Sequence, residues 1–230
     1  MENKKDQSGK IVLMAAVSIL IGLYFAVMVT PIRALSLDEL LVKVERQYDL
    51  TRDFEAGFIQ ETTLKSLAKT EREQGRLYFK RPGKMLWQYE KPQRKTLVVN
   101  PEKSWLYLPE DRVAYVQQTD RLLQSTAAVR LLSGFVGIKN DFHVQFAEAD
   151  QGERKGNYFL RLIPREGNAG FSQAHIEISG ATYFINRVWF EDPYGNVTRV
   201  TLFNTKLNQK LKDDKFLFRV PVGVEIYSLP

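Results

Sequence analysis

No cysteine occurs in the 230 residues. Disulfides, thiolate metal sites and a cysteine nucleophile are excluded together, and so is a lipid anchor attached through a lipobox cysteine. Histidine is nearly absent: His143 and His175 are the only two. Both fall in expected strands, on the faces opposite Val144 and Ile176, and no His-x-His or Glu-x-x-His spacing occurs, so no metal site is expected. The chain also lacks a G-x-S-x-G elbow, a P-loop and a dinucleotide fingerprint. The acid pairs Glu191-Asp192 and Asp213-Asp214 make poor general acid/base dyads. Neighbouring strand residues face opposite ways, and the second pair sits in a charged, turn-like stretch. An enzyme is not expected, nor any cofactor.

Charge of one sign is never concentrated. The net charge is +6, and Lys4, Lys5, Lys10 and Arg33 stand against Glu2 and Asp6 in the first 34 residues. Removing these from the totals of 33 and 27 leaves 29 basic against 25 acidic residues. A nucleic-acid surface needs a clustered basic stripe. The run Lys80, Arg81, Lys84, Lys91, Arg94, Lys95, interleaved with Trp87 and Tyr89, resembles one out of context, but nucleic acid is excluded as a partner by the export signal that follows.

One long apolar run exists, Ile11 to Val29, and it is uncharged over 19 residues. Three lysines precede it and Pro31-Ile32-Arg33-Ala34 closes it. A basic start, an apolar stretch and a small residue at the end describe a secretory signal. Residues 1–34 are therefore expected to be a signal peptide cleaved after Ala34, or retained as an anchor since the run is long enough to span a bilayer. Residues 35–230 then form one domain on the far side of the inner membrane, with no linker or repeat inside it.

What is present in quantity is aromatic: 14 Phe, 10 Tyr and 3 Trp, residues that suit half-buried pleated surfaces. Ser36-Leu37-Asp38-Glu39 reads as a capping box. Leu37, Leu40, Leu41, Val44 and Tyr48 follow it at helical spacing. The period then changes to two. Phe54, Ala56 and Phe58 share a face, as do Leu77 with Phe79, and Met85 with Trp87 and Tyr89. Further strands are expected at 95–100, 104–109, 112–118, 141–149, 157–164, 172–180, 183–192 and 196–205, eleven with the first three. Turn-like breakers separate them, among them Arg81-Pro82-Gly83, Asn100-Pro101, Gly152 and Gly167-Asn168. A short helix is expected at 125–134, and a loop or helical turn at 208–214. So many strands need a sandwich or a barrel to protect their edges. Two helices with apolar stripes can cover such a barrel.

Arg81 falls on the parity of Leu77 and Phe79. Either its guanidinium turns towards the apolar face, where it must find partners, or the strand ends first and Pro82 turns the chain so that the side chain reaches water. Parity alone leaves both open.

Taken together, Phe58-Ile59-Gln60, Gly75-Arg76-Leu77-Tyr78-Phe79-Lys80-Arg81-Pro82, Trp87-Gln88-Tyr89 and Pro92 closely resemble the LolA outer-membrane lipoprotein carrier family. Looser matches extend over nearly all of 35–230: Trp105-Leu106-Tyr107 with Pro109, Leu131-Leu132-Ser133-Gly134, the Tyr158 to Pro164 strand, and Phe216-Leu217-Phe218 with Pro221, Gly223 and Val224. The resemblance implies a mostly β fold, an unclosed (half-open) barrel of about eleven antiparallel strands with helices forming a lid over an apolar cavity. It implies a monomeric periplasmic carrier that takes the acyl chains of a lipoprotein from an ABC-type inner-membrane extraction complex to an outer-membrane lipoprotein receptor. A carrier or sensor of another lipid or glycolipid on the same scaffold is the alternative. In that frame Arg81, with Pro82, braces the lid, Met85 lies near a partner contact, and Leu40, Val44, Phe54, Phe58, Leu77, Phe79, Trp87, Tyr89, Leu131 and Leu132 are candidates to line the acyl cavity. Two departures stand out. Many relatives have an Asp-Gly turn where this chain has Asn100-Pro101-Glu102-Lys103, and the mature part here is basic.

Overall fold

The computed structural model describes residues 35–125, 127–132, 138–148, 156–165 and 171–229. The expected signal or anchor at 1–34 lies outside them, as do Gly134, Gly152 and the Gly167-Asn168 turn. Among the described residues no helix is long and apolar enough to cross a membrane.

The first element is α1, Leu37–Leu50, and its apolar stripe is the expected one: Leu40, Leu41, Val44 and Tyr48 are buried. Strands β1 (Asp53–Leu64) and β2 (Lys69–Lys80) follow as a long hairpin, then β3 (Lys84–Lys91), β4 (Lys95–Val99), β5 (Lys103–Leu108) and β6 (Val113–Gln118). Three short helices come next: α2 (Thr119–Ser125), α3 (Ala127–Leu132) and α4 (Ile138–Asp141). The chain returns through β7 (Phe142–Phe146), β8 (Tyr158–Pro164), β9 (Gln173–Ile178), β10 (Ile185–Glu191) and β11 (Val197–Leu207), and ends in β12 (Glu225–Ser228).

All twelve strands form one sheet, in the order β12-β6-β5-β4-β3-β2-β1-β11-β10-β9-β8-β7. Every pairing is antiparallel except that of β12 with β6, which is parallel. The order has two ends, so the sheet is not closed into a barrel, as the resemblance implies. The eleven expected strands correspond to β1–β11, and among the described residues β12 is a twelfth. β12 has four residues, all exposed, and such a segment carries no alternation of buried and exposed positions to mark it as a strand. The short helix expected at 125–134 is corrected: helix begins at Thr119. Thr119 is held there by its backbone N–H on the Glu102 carbonyl and its hydroxyl on the Asn100 carbonyl. Its start is set by a long-range contact, which periodicity does not register.

Directly opposed residues of antiparallel strands share a face, and this divides the sheet. One face carries Phe54, Ala56 and Phe58 of β1, Phe79 and Leu77 of β2, Met85, Trp87 and Tyr89 of β3, Leu97 of β4, Leu106 of β5 and Tyr115 of β6. Beyond β11 it continues through Leu202, Val200, Val188, Ile176 and Leu160. The helices lie on this inner face, with α2 against β5 and β6, α3 against β10 and α4 against β7. The outer face has a smaller core of Tyr78, Leu86, Val98 and Phe216, with Trp105, Leu211 and Phe218 packed on it. The segment after β11 therefore wraps back over the outside of β2–β5.

Gly75 is required by this packing. A Cβ there would sit 1.9 Å from the Gln88 carbonyl oxygen on the neighbouring strand, closer than any contact allows. The loop expected to differ from relatives, 100–103, is closed by its own asparagine: the Asn100 side-chain oxygen accepts the N–H groups of Glu102 and Lys103, at 3.0 and 2.9 Å. An Asx turn of this kind needs no glycine.

Candidate functional site: the inner face and its helical roof

Of the ten cavity candidates, the six aromatic and leucine residues of β1–β3 share the inner face of the sheet, Leu40 and Val44 are buried on the stripe of α1, and Leu131 and Leu132 are buried on α3. The rings interlock: Phe54 stacks on Phe79 at 5.2 Å, Phe58 meets Trp87 and Tyr89 edge-on at 5.0 and 4.9 Å, and Tyr48 of α1 stacks on Phe184 at 4.8 Å. Nine of the ten are buried side chains in this packed state, and Tyr89 is half-buried.

Open space on this face lies to one side of that cluster. A cavity of about 210 Å³ is bordered by Tyr89, Lys95, Leu97, Ser104, Leu106, Tyr115 and Gln117 of β3–β6, with Leu122 of α2 above and Leu229 after β12 at its edge. Four of its nine bordering residues are leucine and two are tyrosine, and Leu122 brings a helix over it. A larger groove of about 560 Å³ on the outer face is bordered by Glu55, Arg76 and Lys206 beside Gly57 and Phe203. It is rimmed by charges, and Lys206 and Glu55 pair across it at 3.0 Å.

Polar contacts tie α1 to its surroundings at both ends, and Arg81 makes those at its C-terminal end. β2 ends at Lys80, so Arg81 stands at the rim in the turn before β3, not on the inner face. Its Nη1 donates to the Asp49 carbonyl at 3.2 Å and more weakly to the Tyr48 carbonyl at 3.5 Å, and its Nη2 donates to Asp49 Oδ1 at 3.1 Å. The last carbonyls of a helix have no partner within it and carry the negative end of its dipole, so a guanidinium suits them. Neither alternative left open by parity describes Arg81 fully. The strand does end, and the side chain is 39% exposed, yet it caps the roof helix. Met85, one strand over, is fully buried between Phe79 and Val99.

Several residues of this joint escaped the sequence reading. Asn208 holds a backbone conformation with φ of +56°. Its side chain accepts from the Arg52 N–H at 2.8 Å and donates to the Leu50 carbonyl at 3.3 Å. Asp53 is buried, and its two carboxylate oxygens accept the N–H groups of Gln209 and Leu211. Lys80 and Lys84 both reach Asp213, at 2.8 and 2.9 Å. Their hydrogen bonds hold the Asp213 carboxyl at about 2, well below the usual carboxylate range. At the other end of α1, Asp38 pairs with Lys139 of α4 at 2.7 Å. Nothing in an isolated Asp or Asn beside a strand announces such partners, all of them more than 100 positions away.

The histidines take no part in this joint. His143 is exposed, 3.4 Å from Arg165, and His175 stacks on Trp189 at 5.1 Å. No group of three or more metal-ligating side chains occurs among the described residues.

An open, almost wholly antiparallel sheet with an apolar inner face covered by helices defines the fold class. The chain matches the family model described as "Outer membrane lipoprotein carrier protein LolA" over residues 49–219. It belongs to that family, which is one of binding and transport proteins, not enzymes. It is 28% identical over 180 residues to an outer-membrane lipoprotein carrier protein of Methylococcus capsulatus, covering 78% of this chain and 83% of that one. It is 29% identical over 193 residues to the protein of the same description from Bordetella avium, covering 84% and 87%. Among solved structures, an uncharacterized conserved protein from Thermus thermophilus superposes with a TM-score of 0.54 at 15% identity. That likeness covers 84% of this chain and 98% of the other, and it concerns the fold alone.

Proposed function

We propose that this chain is a periplasmic carrier that shields the acyl chains of lipoproteins, accepting them from an ABC-type inner-membrane extraction complex and releasing them to an outer-membrane receptor. The observation that carries this reading is the helix-covered cavity between the inner face and α2, on the same face of the sheet as the aromatic cluster of β1–β3. Burial of a methylene is worth about 0.8 kcal/mol, so an acyl chain of roughly 16 carbons resists water by something on the order of 10 kcal/mol. A chain that costly to expose needs a shield in transit and direct hand-over at each end.

At about 210 Å³ the cavity is below the usual range of roughly 300–1,000 Å³ for a site that engulfs a ligand. The roof must therefore move to admit a long chain, and the nine buried residues of the cluster become its lining. Arg81 sets the balance of that movement. Its contacts to the end of α1 exist only with the roof seated, so they favour the empty, closed form. Being partly exposed, they contribute about 1 kcal/mol, enough to shift a two-state population roughly fivefold. Arg81→Leu should load with lipoprotein but deliver it poorly, because the emptied closed form is no longer favoured. Transfer of a purified lipoprotein from the variant to receptor-bearing outer-membrane vesicles measures this. Delivery at the unmodified rate would overturn the role of Arg81, and recovery of the loaded protein with glycolipid in place of triacylated protein would overturn the cargo.

A further inference from the structure

A chain of polar side chains crosses the apolar inner face beside the cavity. The Tyr89 hydroxyl donates to Gln60 Oε1 at 3.0 Å, Gln60 Nε2 donates to Glu73 Oε2 at 3.3 Å, and Glu73 Oε1 pairs with Lys95 Nζ at 2.6 Å. Lys95 also lies over the Tyr89 ring, 4.3 Å from its centre. Burial pushes the Tyr89 hydroxyl up, and the Glu73 carboxylate adds to this, so it remains a donor. The ion pair is mostly shielded, with side chains 27% and 21% exposed for Lys95 and Glu73. An ion pair withdrawn from water gives little net stability over apolar packing, so stability alone does not account for it.

Its position does. Lys95 and Tyr89 border one end of the cavity, and Leu97, Leu106, Leu122, Leu229 and Tyr115, with the uncharged polar Ser104 and Gln117, border the rest, so Lys95 is the one charged group in the lining. An ammonium has three donors. Glu73 takes one, and no acceptor among the described residues takes the others. Nearby on the same face, the Trp87 Nε1–H is buried without a partner among the described residues, its ring 6.4 Å from that of Tyr89. The Lys95 ammonium therefore presents donors at the border of the cavity, where a guest's polar end would lie. The pair is also neutral overall. A second carboxylate at Lys95 would meet Glu73 at short range in a partly desolvated site, where like charges repel far more strongly than in water. A carbonyl oxygen of an ester or amide would not.

We propose that this cavity is the subsite for an acyl chain whose carboxyl end is already esterified or amidated. Lys95 donates to the neutral carbonyl, and Glu73 excludes amphiphiles that end in a free carboxylate. The proposal rests on the acyl-carrier reading and adds which acyl compounds are admitted. Lipoprotein chains, held in ester and amide linkage, pass the filter, and free fatty acids do not.

The test uses N-methyldecanamide and decanoate at pH 8, titrated calorimetrically into the protein isolated after export. The unmodified protein should bind the amide at least about tenfold more tightly. Glu73→Gln should raise decanoate affinity by about tenfold and change that of the amide by less than about threefold. Lys95→Met should weaken the amide. Because the ratio of the two probes is read within each variant, a general loss of folding does not imitate the result. Equal affinities in the unmodified protein, or a ratio that Glu73→Gln leaves unchanged, overturns the filter and leaves the carrier reading intact. Failure of the folded protein to take up either probe overturns both.

Discussion

Arg81 shows how far a single residue can be read. The G-x-L-x-F-K-R-P run marks it as special, and alternation brings it to the edge of the apolar face, but its partners lie on α1, in the Tyr48 and Asp49 carbonyls and the Asp49 carboxylate. Its fork of donors spans two acceptor positions, so Arg81→Lys keeps the charge and loses the simultaneous contact to the Asp49 carbonyl and carboxylate. That variant should fall between unmodified protein and Arg81→Leu in the delivery assay. Asp53 is the opposite case. Preceding Phe54 it reads as an ordinary polar strand residue, yet it is 3% exposed and satisfies two backbone N–H groups. Asp53→Ala leaves both unpaired and should cost about 2–4 kcal/mol in urea unfolding. A cost below about 0.5 kcal/mol would mean that water replaces the carboxylate freely. Asp213 gives a pH signature. Its pKa is lower folded than unfolded, so its pairing with Lys80 and Lys84 stabilises the fold above the ordinary carboxylate range and is lost as pH falls through about 2. A carboxyl-carbon titration of the folded protein should place its midpoint near 2, and a midpoint near 4 would show that the lysines are not bound to it.

At the scale of elements, the sequence is most legible where burial is one-sided. α1, β1, β2 and β3 each show their inner face as a clean period, so their identity and orientation can be taken from the residues alone. Short elements on the surface do not show themselves this way. β12 has no buried position, and its pairing to β6 follows from the outer-face core, where Phe216 is 1% exposed and Phe218 lies against Trp105 and Tyr107. The resemblance implies a cavity, but not that Lys95 and Glu73 meet beside Tyr89, which only the register of β1–β4 shows. β12 also covers the β6 edge. Removing residues 222–230 should expose an unpaired strand and raise self-association, which sedimentation velocity would report; an unchanged monomer would show that β6 needs no cover. Phe216→Ala should cost about 3–5 kcal/mol, since its ring anchors the returning segment to Tyr78, Leu86 and Val98.

At the scale of the described domain, the open sheet and the helices on its inner face form, in the proposed function, a container whose roof is the side that moves. The outer face is closed by the chain's own C-terminal segment, with Lys215 lying 3.8 Å over the Tyr78 ring, so cargo has no comparable apolar surface there. The inner face is closed by helices whose polar ties gather at Arg81, Asn208 and the Asp38–Lys139 pair. Such ties are individually weak, while the apolar surface beneath them is extensive. Exchanging helix side chains for an acyl chain therefore replaces one apolar contact with another, and the small polar differences decide which form prevails.

The central claim is that acyl chains enter between the sheet and its roof. A photo-crosslinking side chain placed at Leu106 on the inner face, and separately at Phe203 on the outer face, tests it most directly when each protein is loaded with a triacylated lipoprotein. Crosslinking from position 106, lost when the lipoprotein lacks its acyl chains and absent from position 203, is the expected result. Crosslinking from position 203 alone, or from 106 regardless of acylation, would contradict it.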